Sequence, residues 1–175
     1  MNTANKLTMI RIALVPVFLV VLYVGFPYSH YAAMAVFIAA GLTDIADGYI
    51  ARQYGQVTDF GKFLDPLADK VLVIAAILWF VERDVIPAWV ALIVIMREFI
   101  VTALRLIAVD NGRVIAAALS GKIKTVVTMI CLTAMFLPLM QWMNYACVAL
   151  ITVTTLFSGV EYFVKNRDIL NYGNR

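Results

Sequence analysis

Charge is scarce in this chain. Lysine, arginine, aspartate and glutamate together supply 14% of the 175 residues, against 63% that are hydrophobic, whereas soluble domains carry roughly 25% charged residues. That balance excludes an ordinary soluble domain and puts the chain in a membrane. Linkers are also lacking: no Ser/Gly/Pro-rich stretch, charge block, low-complexity tract or repeat breaks the apolar runs, so residues 1–175 are expected to form one domain. The net charge of +3 is small, and its cations are scattered between apolar runs instead of forming a strip that could follow a phosphate backbone. Nucleic acid is therefore not an expected partner. The single histidine, His30, cannot form a His pair for a metal; it falls in a short outer loop and is expected to face solvent or headgroups. The two cysteines, Cys131 and Cys147, both sit in apolar segments and read as packed thiols rather than a disulfide. Lys6 and Arg11 precede an apolar stretch as in a secretory signal, but no small-residue cleavage site follows and further spans do, so the segment reads as a retained first span.

The apolar residues fall into six segments near the length of about 20 that a membrane-crossing helix needs: 7–25, 31–53, 62–82, 86–109, 118–138 and 142–164. Between them lie turn or boundary residues, Gly25 to His30, Gly55 and the polar residues after it, Glu82 to Pro87, Asp110 to Arg113, and Pro138 to Trp142. The expected fold is all-α, a polytopic bundle with six transmembrane helices. Lys6, Arg11, Arg52, Lys62, Arg113, Lys122, Lys165, Arg167 and Arg175 lie on one side of such a bundle and Arg83 on the other, which puts both termini in the cytoplasm. Trp79, Trp89 and Trp142 fall near the outer span ends, where aromatic belts form. Glu161 can pair with Lys165 at i+4.

Between residues 44 and 69 the sequence reads DIADGYIARQYGQVTDFGKFLDPLAD. Ionised carboxylates near hydrocarbon are costly and mark function. Asp44 and Asp47 are three apart, Asp65 and Asp69 four apart, so on helices each pair shares a face. Four carboxylates in one cleft repel unless neutralised, and hard oxygen donors suit two divalent cations, Mg²⁺ or Mn²⁺. The alternative, helix-end aspartates paired with Arg52, Lys62 and Lys70, leaves the spacing unexplained. Gly48 and Gly61 stand where a missing side chain would let a bulky ligand approach the backbone, although small residues also serve helix packing. Gly55 reads as the stop of the second helix.

Asp44, Asp47, Gly48, Ala51, Arg52, Gly61, Asp65 and Asp69 meet the pattern D-x2-D-G-x2-A-R-x8-G-x3-D-x3-D at every fixed position. This resembles the signature of the CDP-alcohol phosphotransferases. The resemblance implies a six-helix homodimer with a dinuclear metal site open to the cytoplasm. Asp44, Asp47, Asp65 and Asp69 are then the metal carboxylates, with Asp69 also the general base. Gly48, Arg52, Thr58 and Gly61 are implied contacts for CDP-diacylglycerol, whose phosphatidyl group passes to a small alcohol.

A second polar group, Arg97, Glu98, Arg105, Lys122 and Lys124, lies in spans four and five. The four cations can line an anion pocket, which suits a phosphorylated acceptor such as glycerol 3-phosphate. For Arg105 and Lys122 the plainer reading is snorkelling to the cytoplasmic surface; for Arg97 it is pairing with Glu98 or an aspartate. The segments REF-x-V-T-x-L-R and GKIKT, with Asn5, Leu7, Thr8 and Arg11, resemble the bacterial branch of the family that makes phosphatidylglycerophosphate. That branch implies a multi-pass protein of the bacterial cytoplasmic membrane. Asn5, Thr8 and Arg11 either cap and anchor the first helix or meet the nucleotide. Inositol phosphate or phosphatidylglycerol as acceptor remains open. A small metal-ion transporter is the alternative from another class, but it predicts acids spread through the membrane depth rather than crowded toward one side.

Overall fold

The computed structural model describes the backbone at residues 3–53, 59–110, 118–138 and 140–167, and side chains at 9–43, 70–109, 118–138 and 140–167. The described residues are all-helical. Six helices follow in order: α1 Thr3–Val24, α2 Ser29–Gln53, α3 Asp59–Glu82, α4 Ala88–Asp110, α5 Leu119–Met135 and α6 Gln141–Lys165. Each covers one of the six expected segments.

The breaks follow from local chemistry. After α1, Gly25 adopts φ +69°, a left-handed conformation that glycine enters without steric cost and that commonly ends a helix. After α3, Asp84 is likewise left-handed, and the amides of Val85 and Ile86 both donate to the Phe80 carbonyl at 3.0 and 3.2 Å, capping the helix before Pro87 starts the next. α5 ends three residues short of the expected 138. Pro138 disfavours helical backbone at Leu137, and the last turn tightens, the Leu137 amide donating to Ala134 at 2.9 Å.

Two compact units divide the chain, Met1–Trp79 with Leu132–Leu139, and Phe80–Cys131 with Met140–Arg175. In the first, α1 packs on α2. The buried residues of α1 recur at helical spacing, Arg11, Val15, Phe18 and Leu22, and those of α2 do the same at Ala33, Phe37 and Ala40. Phe18 meets Phe37 at 5.9 Å between ring centroids, and both meet Phe136 at 5.9 and 6.0 Å.

Trp79 joins this cluster, stacked on Phe136 at 5.8 Å and only 4% exposed. It is a core residue, not a member of an outer aromatic belt; Trp89 and Trp142 are exposed as expected of such a belt. His30 is exposed, but it sits in the first turn of α2 rather than in a loop, its ring edge-on to Trp79 at 5.5 Å. Trp79→Ala is therefore expected to cost about 3–5 kcal/mol, the usual penalty for deleting a buried large aromatic, while Trp89→Ala changes stability by less than about 0.5 kcal/mol. Unfolding of the two purified variants in detergent checks this; equal stability would return Trp79 to the surface.

In the second unit α4 packs on α6, with Val101, Leu104 and Tyr162 buried together. Cys131 and Cys147 are free thiols, as expected. Glu161 accepts from Lys165, one turn on. Elsewhere the helices turn large apolar side chains outward, among them Val20, Leu92, Phe99, Phe157 and Val160. Among the described residues one helix, Gln141–Lys165, is long and apolar enough to cross a membrane; Met9–Val24 and Ser29–Thr43 are shorter apolar helices.

Candidate functional site

The acidic pairs lie on helices. Asp44 and Asp47 belong to α2, Asp65 and Asp69 to α3, within the described backbone, while their side chains lie outside the described residues. Helical register nevertheless assigns them a face. The buried stripe of α2 runs 33, 37, 40, and its next two positions at helical spacing are 44 and 47. On α3 the buried Leu72 and Ala76 extend back to 69 and 65 in the same way. Each pair thus stands at positions that follow the buried residues of its helix at helical spacing. Gly48 and Arg52 fall on α2 and Gly61 on α3, without described side-chain surroundings. Thr58 and Gly55 lie outside the described residues.

Register also relates α1 to the first acidic pair. The short turn at 25–28 makes α1 and α2 antiparallel, and Phe18 faces Phe37. Seven residues from Phe18 toward the start of α1 is Arg11; seven from Phe37 toward the end of α2 is Asp44, an equal rise of about 10 Å on each helix. Arg11 is thus level with Asp44. Its side chain is 1% exposed, so it does not snorkel to a surface as an anchoring cation does. Asn5 and Thr8 lie inside the first turns of α1, not at its cap, with side chains outside the described residues.

The second cluster is built by α4 and α5. Arg97 Nη1 donates to Glu98 Oε1 at 3.0 Å, and Lys124 Nζ donates to the same oxygen at 2.6 Å. Lys124 is 4% exposed. Among the described residues, the half-buried Arg97 and the buried Lys124 share one carboxylate oxygen, two cations to one carboxylate. Arg97 Nε is itself buried with no hydrogen-bond partner among the described residues. Two cations held against one carboxylate, with a guanidinium N–H left without a partner, are costly in an apolar setting and fit an anionic ligand.

Arg105 does not join this group. Two turns along α4, about 12 Å, its Nε donates to Tyr162 Oη at 3.1 Å and its guanidinium lies over the same ring at 5.6 Å. Lys122 is exposed on α5. Of the four expected acceptor-binding cations, the described contacts bring Arg97 and Lys124 together and hold Arg105 apart. Tyr162 and Gly159 carried no signal in the sequence, and Gly121 entered only as part of the GKIKT segment, with no role of its own.

Among the described residues no group of three or more His, Cys, Asp or Glu could hold a metal ion. The side chains of Asp44, Asp47, Asp65 and Asp69 lie outside those residues, and an all-carboxylate donor set is chemically suited to hard divalent cations.

The CDP-alcohol phosphatidyltransferase family model matches residues 1–157. The chain belongs to this family. The CDP-alcohol phosphatidyltransferase match runs from α1 into α6, so it takes in both acidic helices and the Arg97–Glu98–Lys124 cluster. The chain is 42% identical to the CDP-diacylglycerol–glycerol-3-phosphate 3-phosphatidyltransferase of Bacillus subtilis over 99% of both chains. It is 38% identical to the protein of the same name from Escherichia coli K12, over 97% of this chain and 98% of that one. A probable phosphatidylglycerophosphate synthase of Mycobacterium tuberculosis H37Rv is 39% identical over 96% of this chain and 83% of its own length.

Proposed function

We propose that this chain transfers the phosphatidyl group of CDP-diacylglycerol to a hydroxyl of sn-glycerol 3-phosphate, giving phosphatidylglycerophosphate and CMP in phospholipid biosynthesis. The observation that carries this reading is the near full-length match to transferases named for that reaction. The two cations at Arg97 and Lys124, held by one carboxylate among the described residues, support the choice of acceptor, because a phosphate monoester is a net anion whereas serine has no net charge and choline is a cation.

Asp44, Asp47, Asp65 and Asp69 hold two divalent cations, Mg²⁺ or Mn²⁺, which when bound offset charge on the pyrophosphate and on the departing CMP. Gly48 and Gly61 leave room for the donor beside the backbone, and Thr58 contributes a hydroxyl to its nucleotide portion. Arg52 adds a fixed cation against the phosphates. Arg11, level with Asp44, contributes a second positive charge that does not depend on a bound ion. The acceptor oxygen attacks the phosphorus that bears the lipid, the bond from that phosphorus to the bridging oxygen breaks, and CMP leaves. Asp69 takes the hydroxyl proton as the new P–O bond forms. In-line displacement of this kind is driven mainly by positioning and charge compensation, and Arg97 and Lys124 hold the acceptor phosphate.

The six helices cross the bacterial cytoplasmic membrane, with both termini and the reaction on the cytoplasmic side. The apolar outward faces and the distribution of Lys and Arg support this topology. Residues 1–175 act as one domain, and two copies form the working homodimer.

Purified protein incubated with CDP-dioleoylglycerol, Mg²⁺ and a panel of acceptors tests the activity. Phosphatidylglycerophosphate, identified by mass spectrometry, is the expected product with glycerol 3-phosphate. CMP release with inositol phosphate or phosphatidylglycerol but not with glycerol 3-phosphate would replace the acceptor.

A further inference from the structure

Arg97 leaves α4 between two glycines on two other helices. A Cβ added at Gly121 of α5 would stand 3.3 Å from Arg97 Nη2, and one added at Gly159 of α6 would stand 3.4 Å from its Cγ. One glycine thus borders the guanidinium and the other borders the stem of the same side chain. Small residues on membrane helices usually let two backbones approach. Here the atoms nearest the missing side chains belong to an arginine, so the space is filled by a functional group rather than by a neighbouring helix. The guanidinium has little freedom to yield, because Nη1 is held by Glu98 Oε1 and that oxygen is held in turn by Lys124.

We propose that Gly121 and Gly159 form a slot that fixes the plane of the Arg97 guanidinium, with Glu98 as its anchor, and that this slot sets selectivity for a phosphorylated acceptor. The inference rests on the reading of Arg97 as a contact for the acceptor phosphate. Guanidinium recognises phosphate through a planar fork of parallel N–H bonds, so a displacement of a few tenths of an ångström or a tilt of the plane loses one bond of the pair. Among the described residues both glycines border Arg97 alone, so they are positioning residues acting through it.

Steady-state kinetics of the purified enzyme with CDP-dioleoylglycerol, glycerol 3-phosphate and Mg²⁺ tests the slot. Gly121→Ala is expected to raise KM for glycerol 3-phosphate about tenfold, the scale of one charged hydrogen bond. Gly159→Ala, set against the stem, raises it about threefold, and KM for CDP-dioleoylglycerol stays within about twofold in both. In an Arg97→Ala background, itself raised in acceptor KM, adding Gly121→Ala has no further effect, because the glycine then has no guanidinium to hold. Additive effects, or an unchanged acceptor KM in folded Gly121→Ala while Arg97→Ala is impaired, would overturn the slot alone. An unchanged acceptor KM in Arg97→Ala would overturn the acceptor role of Arg97 and the slot with it. If Gly121→Ala does not accumulate as folded protein, Gly159→Ala in the same cycle carries the test.

Discussion

Asp69→Asn is expected to lower kcat by about 10²–10⁴-fold at saturating Mg²⁺, the usual contribution of a positioned proton acceptor. Asparagine keeps the size of the side chain and one carbonyl oxygen, so the change removes a negative charge and a proton site with little change in packing. On α3 the position follows Leu72 and Ala76 at helical spacing, and the near-isosteric amide leaves the helix intact. The loss should therefore appear in turnover at unchanged thermal stability. Titrating Mg²⁺ separates the two roles assigned to Asp69. A defect that vanishes at high Mg²⁺ belongs to cation binding, and near-normal kcat at full occupancy would mean that the acceptor proton leaves by another route.

The second large effect is expected at Arg11. Arg11→Gln retains hydrogen-bonding capacity but removes a buried charge level with Asp44, and turnover should fall about 10²-fold, comparable to the loss of one preorganised electrostatic contact. Arg11→Lys should recover part of it, since the charge returns without the planar fork. Measured kcat and KM for CDP-dioleoylglycerol in the three proteins check this. A membrane anchor facing the headgroups would tolerate Gln with less than about threefold change, and that outcome would remove Arg11 from the site.

How much of this could be read from the chain depends on how far apart the interacting residues are. The breaks after α1 and α3 were legible because Gly25 and Pro87 act on their immediate neighbours, while α5 stops three residues before the expected 138; the helices that carry the acidic pairs were legible from their apolar runs. The pairing of Arg97 with Glu98, adjacent in sequence, was foreseeable as one of two options. Trp79 was not: a tryptophan near a span end suits a lipid belt or a core equally, and Phe136, 57 positions away, decides it. Arg11 looked like an anchoring cation because only the register of α1 against α2 gives its level. Arg105 and Tyr162 likewise meet across two helices, and no local pattern announces such a pair.

The contact between Phe18 and Phe37 reaches beyond the core it fills. Because the turn at Gly25–Tyr28 closes one end of the α1–α2 hairpin and the aromatic contact fixes its middle, the hairpin works as a ruler whose far end carries Arg11 and Asp44. One residue inserted between Arg11 and Phe18 would rotate Arg11 by about 100° and shift it about 1.5 Å along α1, off the α2-facing stripe. An insertion before Arg11 would leave the distance from the aromatic mark unchanged. Length variation in this segment is therefore permitted on one side of Arg11 and forbidden on the other.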